Sequence, residues 1–181
     1  PANAADLRLI QKQLQRVIER ALPATVAVEI RGAAGSGVIV NKEGLVLTAA
    51  HVVGRPGRRA WVELPDGRRL AGRSLGANHD VDAGMIQIDE PPADLPFTPI
   101  HEGPDLEPGA WVVTIGQPGG IVEDRAPPVR FGRVLFRGDG ILCRRRAQEI
   151  QELARQQRQP ALRGQDQHRQ RQGIILGLDR Q

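Results

Sequence analysis

The feature that most constrains this chain is a change of hydrophobic period at Pro23. Before it, Leu7, Ile10, Leu14, Val17, Ile18 and Ala21 recur at helical spacing, which predicts an amphipathic helix over 6–22, started by Asp6 and stopped by the proline. After it the period becomes two. "TVAVEIRG", "GSGVIV", "GLVLTAA", "AWVELPDGRRLAGRSL" and "AGMIQIDE" read as short strands, with "NKEG" and "LPDGRRL" as hairpin turns. Aromatic residues make up only 3% of the chain, so the core must come from Val, Ile, Leu and Ala.

These strands describe a barrel-like all-β unit over 23–92, preceded by the helical segment 1–22. A proline-rich connection over 93–104 follows. Strands resume with "AWVVTIG", "VRFGRVLF" and "GDGILC", the start of a second all-β unit over 105–143. At Arg144 the composition changes. Residues 144–172 contain nine Gln and eight Arg and no Ser, Thr, Val or aromatic residue, which cannot supply a second barrel's core. The last residues, "GIILGLDRQ", again resemble a strand.

That segment also accounts for the chain's basicity. Its eight Arg against Glu149, Glu152 and Asp166 give a local net charge of +5, so the rest of the chain carries −1 of the overall +4. No general nucleic-acid footprint is therefore expected. One cysteine excludes an intrachain disulfide, and four scattered histidines offer no metal-ligand spacing, so no metal or cofactor is expected. No apolar run is long enough to span a bilayer, and no membrane span is expected.

Nucleophilic attack on a peptide needs an alcohol or thiol, a base, a carboxylate to orient it and donors for the oxyanion. His51, just after an apolar strand and two small residues, is the candidate base; a half-buried barrel histidine without a role is the equal alternative. His79, His101 and His168 read as surface residues. In "NHDVDAGMIQID", strand alternation puts Asp80 and Asp82 on one face. Asp82, immediately before the apolar run, is the choice for the orienting acid, and Asp80 a neighbouring or capping residue. The chain has two serines. Ser36 lies in a small-residue stretch suited to close packing, Ser74 on a polar strand or turn, and neither has a glycine-rich oxyanion nest. Cys143 reads as a core or buried-edge residue, with reactive-thiol chemistry the lesser alternative.

Taken in order, "GSGVIV", "GLVLTAAHVV", "DVDAGMIQID", "PGAWVVTIGQPGG" and "VRFGRVLF" resemble the protease domain of HtrA/DegP-type, trypsin-like serine proteases over about 23–143. The resemblance implies an all-β fold of two six-stranded barrels, the second incomplete here, with the N-terminal helix added and the active site between the barrels. It implies His51 as general base, Asp82 as orienting acid, and "TIGQPGG" as a second-barrel strand and turn close to the site. It further implies cleavage of unfolded or misfolded polypeptides, a homotrimer built through N-terminal segments, and a periplasmic or otherwise extracytoplasmic location. "DAG" departs slightly from the family's Asp-Leu-Ala and leaves a thinner strand beside Asp82.

The family's nucleophile motif, Gly-Asn/Asp-Ser-Gly-Gly-Pro, should follow "GRVLF" within a few tens of residues and does not occur in the chain. A frame error explains both this gap and the Arg/Gln run. The DNA string C-GGC-AAC-AGC-GGC-AGC-CCG-CTC-TTC, read from its first base, encodes Arg-Gln-Gln-Arg-Gln-Pro-Ala-Leu and then begins an Arg codon, as in "RQQRQPALR" at 155–163. Read from its second base it encodes Gly-Asn-Ser-Gly-Ser-Pro-Leu-Phe, with the serine codon overlapping Gln157 and Arg158. The expectation is a nucleophile near Gln157 if the frame is restored. The chain as written is then an inactive descendant of a serine endopeptidase. The alternative is a non-catalytic pseudoprotease that binds extended polypeptide by strand addition. A third reading, a polyanion-binding Arg/Gln tail, lacks the aromatics for a stacking platform.

Overall fold

In the computed structural model, residues 3–101, 106–117, 120–121 and 126–135 are described. "GDGILC" with Cys143, His168, the Arg/Gln-rich segment and "GIILGL" lie outside them.

Helix α1 (Ala4–Ala21) begins two residues earlier than its first acidic side chain, because the Asn3 carboxamide accepts from the Asp6 amide at 3.0 Å and caps the first turn. Asp6 therefore sits inside the helix, where its charge favours the positive end of the dipole, rather than at the cap. A single 3-10 turn, Leu22–Ala24, carries Pro23 and redirects the chain into the sheet. No α1 residue is buried; the helix lies alongside the second sheet, and Leu7 and Leu9 remain exposed.

Six strands then close into an antiparallel barrel, ordered β1 (Thr25–Ile30), β2 (Ala33–Ile39), β3 (Leu45–Thr48), β6 (Ala83–Ile88), β5 (Arg69–Asn78) and β4 (Arg59–Glu63), with β4 returning to β1. Closure removes every strand edge from this unit. The two-residue period places Val26, Val28 and Ile30, Ala60 and Val62, and Ile86 and Ile88 inside, all with at most 2% exposure. Both expected hairpin turns form. Gly44 and Gly67 take the positive φ values, 80° and 85°, that these tight reversals require.

The proline-rich connection folds back over the barrel. Leu95 enters the main core, the Thr98 amide donates to the Ile39 carbonyl at 2.9 Å, and Ile100 packs on a smaller cluster of Val40, Leu45, Leu47 and Met85. Beyond it, β7 (Trp111–Ile115) and β8 (Val129–Arg133) pair antiparallel, Val113 opposite Phe131. No residue of these two strands is buried. Among the described residues the architecture is therefore a closed six-stranded barrel, a two-stranded second sheet and an N-terminal helix.

Candidate active site

His51 does not sit in a simple turn. "AHVV" forms a one-turn helix, α2 (Ala50–Val53), ended by Gly54 at φ 64°. Its apolar residues Ala50, Val52 and Val53 are buried, while the His51 side chain is 72% exposed. Two glycines make the seat. A Cβ on Gly35 would come within 2.7 Å of a Val52 methyl, and one on Gly84 would collide with Val53 and approach the Ala49 carbonyl. The glycine of "DAG", expected to thin the strand, is thus where the His51 helix packs closest to β6.

Asp82 is not aligned with Asp80 by strand alternation, because β6 starts only at Ala83. The residues 79–82 form the turn of the β5–β6 hairpin, and Asp82 lies at φ 50°, the left-handed region that aspartate tolerates better than most residues. The Asn78 carboxamide accepts from the Asp80 amide at 2.9 Å and holds that turn. Asp82 then faces His51. Its two carboxylate oxygens lie 2.9 and 2.8 Å from His51 Nδ1, and Oδ1 also accepts the His51 amide at 3.1 Å.

The His51 amide is the largest cause holding the Asp82 carboxyl below its ordinary value of 3.8; desolvation pushes it up, and the bond from the His51 ring lowers it again. An ionised carboxylate can only accept, so the shared proton belongs on Nδ1 and Nε2 is left as the ring's acceptor. This is the arrangement a histidine needs to take a proton from an alcohol.

Neither serine is presented to that histidine as a free hydroxyl. Ser74 is 2% exposed; its Oγ donates to the Arg55 carbonyl at 2.7 Å and accepts from the Arg58 amide at 2.9 Å, which pins the loop leaving α2. Ser36 Oγ accepts from the Gln117 amide at 2.7 Å, and its carbonyl accepts from Thr48 Oγ1 at 2.8 Å. Gln117, in the described part of "TIGQPGG", is thereby tied to β2 of the first barrel and is 6% exposed. Sequence reading identified the small residues around Ser36 as a packing site but not this bond; the only signal was a polar residue amid small ones. Of the other histidines, His79 is exposed as expected, whereas His101 is half-buried. No cluster of three or more potential metal ligands occurs among the described residues, and no described helix is long and apolar enough to cross a membrane.

Comparison with known proteins gives a consistent result. Residues 35–167 match the trypsin-like peptidase domain family. The chain is 33% identical over 126 residues to serine protease HTRA1B of Danio rerio, covering 64% of this chain and 26% of that protein. It is 36% identical over 93 residues to a probable periplasmic serine endoprotease, DegP-like, of Halomonas elongata, covering 51% and 19%. Among solved structures it is similar to the serine endoprotease from Yersinia pestis, with a TM-score of 0.58 and 28% identity over 68% of this chain and 44% of that one. The chain thus spans roughly a quarter or less of the length of these two curated relatives. Barrel, histidine helix and sequence agree: the chain belongs to the trypsin-like serine protease family, and within it to the HtrA/DegP type.

Proposed function

We propose that His51 and Asp82 are the general base and orienting acid of a site that is by descent that of a serine endopeptidase acting on unfolded or misfolded polypeptides outside the cytoplasm. The observation that carries this reading is the Asp82 carboxylate at 2.8–2.9 Å from His51 Nδ1, with the ring otherwise exposed. The DegP-like relative is named as periplasmic, which supports the same location here. Assembly as a homotrimer rests on the family and on an α1 whose apolar stripe has no fully buried residue.

Residues 1–181 as written do not complete the triad. Their only serines, Ser36 and Ser74, are engaged elsewhere, and the nucleophile motif is missing. Loss of a single oxyanion donor lowers rates by roughly 10²–10³, so a base and an acid alone do not give an acyl-enzyme. This polypeptide therefore shows no triad-dependent turnover; in the alternative reading it is a pseudoprotease that still binds extended substrate by strand addition. In the ancestral frame the nucleophile falls near Gln157, inside the span that matches the family. Two measurements test this. Purified protein of verified sequence should bind a denatured polypeptide and release no fragments; cleavage blocked by a serine-reactive inhibitor would sink the assignment of inactivity. The coding DNA across 130–181 should show Gly-Asn-Ser-Gly-Ser-Pro-Leu-Phe codons in another frame, and their absence would make the Arg/Gln segment authentic.

A further inference from the structure

Six arginines lie between Arg55 and Arg73, and four of them are engaged. Arg68 pairs with Asp66 and Asp94, Arg69 with Glu29 at 2.5 Å, Arg73 with Asp89 at 3.1 Å, and the Arg59 guanidinium stacks 4.7 Å from the Trp61 ring centroid. Arg55 and Arg58 have neither a carboxylate nor a ring partner among the described residues. Both stand on the loop that leaves the His51 helix.

That loop is held in place independently of their side chains. Ser74 Oγ bonds the Arg55 carbonyl and the Arg58 amide, the Gly57 amide donates to the Ser74 carbonyl at 2.7 Å, and the Ser74 amide donates to the Arg58 carbonyl at 2.9 Å. Arg58 also reaches back toward the end of α2. Its Nη1 lies 2.7 Å from where a Cβ on Gly54 would stand, so the guanidinium covers the residue that ends α2. Arg55 is exposed and Arg58 half-buried. Asp82, the carboxylate beside His51, is committed to that residue. Two cations on a fixed loop that follows directly from the helix of the candidate base, without a carboxylate partner among the described residues, suit one kind of occupant: a polypeptide segment that carries carboxylates.

We propose that Arg55 and Arg58 are specificity-determining residues that favour acidic segments of a polypeptide bound next to His51. This rests on the reading of the site as a polypeptide-binding cleft. The arginines act on the bound chain through charge and guanidinium hydrogen bonds and take no part in bond breaking.

The test uses the full chain and two fluorescent, disordered peptides that differ only by Asp in one and Asn in the other, with binding read by anisotropy. The Asp peptide is expected to bind about three- to tenfold more tightly, as a pair of exposed ionic contacts allows, and the ratio should shrink as salt is raised. Arg55→Ala with Arg58→Ala should bring the ratio close to one. Arg8→Ala with Arg16→Ala, the same charge change on α1, should leave it intact. The Arg55→Glu, Arg58→Glu variant should prefer a Lys peptide, which guards against a loss due only to altered loop packing. A ratio unchanged in the Arg55/Arg58 variants, or lost equally in the α1 variant, overturns the proposal. Equal binding of both peptides to the native chain overturns it alone and leaves the cleft reading standing. Failure to bind either peptide removes both.

Discussion

The first barrel and the β7–β8 sheet are both antiparallel, yet among the described residues only the barrel has a buried inside. In the barrel, six strands pair around a closed ring, and the inward residues from Val26 to Ile88 form one apolar core. In the second sheet, Phe131 remains 64% exposed and Trp111 37% exposed, their rings 5.9 Å apart with Arg133 stacked on the tryptophan. Strand pattern alone does not stabilise a sheet; a second layer or closure must cover its apolar face. The site follows the same division. His51 and Asp82 both come from the closed unit, one on a helix seated against Gly35 and Gly84, the other in a hairpin turn.

The widest contrast should appear on removing one large side chain from each region. Ile86 is fully buried, so Ile86→Ala should cost the barrel about 2–5 kcal/mol through lost burial and the cavity left behind. Phe131→Ala should change barrel stability by only about 0.5 kcal/mol, as for an exposed position. Urea titrations followed by far-ultraviolet circular dichroism would compare the two. Equal losses would break the division between the regions and show that the second sheet supports the first barrel's core.

The barrel was legible in the sequence because its determinants are local. Alternation in "TVAVEI" and "MIQI", the Asp66–Gly67 turn and the break at Pro23 each mark an element without knowledge of its neighbours. His51 and Asp82 were legible as candidates for the same reason, and more firmly by family resemblance. What could not be read was geometry that depends on long-range contact. Examples are the left-handed backbone of Asp82, the fit of Val53 over Gly84, and the choice of Asn3 over Asp6 as the helix cap. The bond from the Gln117 amide to Ser36 belongs with these, since 81 residues separate its partners.

That bond sets a smaller, sharper test of how the regions are joined. Ser36→Ala removes the acceptor of a nearly buried amide, which should cost about 1 kcal/mol. The loss should be local. Amide exchange at Gln117 should accelerate while Val62, deep in the barrel, stays protected; acceleration at both would mean that the two regions open as one unit.

The least energetic prediction concerns Asp82. Its folded carboxyl titrates below its ordinary 3.8, chiefly because it accepts the His51 amide. A depressed carboxylate contributes stability that is present above the unfolded value and is lost as the pH falls through the folded one. The carboxylate is 54% exposed, so solvent screens most of this contribution and the barrel should stay folded through the titration. The pair itself should not persist. As the pH falls below 3.8, the protonated Asp82 becomes a poorer acceptor, the downfield proton resonance of His51 Nδ1–H should fade, and the His51 amide should exchange faster. In Asp82→Ala the resonance should be missing and the exchange fast already at neutral pH. If wild type keeps the resonance and the slow amide exchange in acid, or if acid unfolds the barrel in the same step, the pair is part of the barrel's framework rather than a polar contact mounted on its rim.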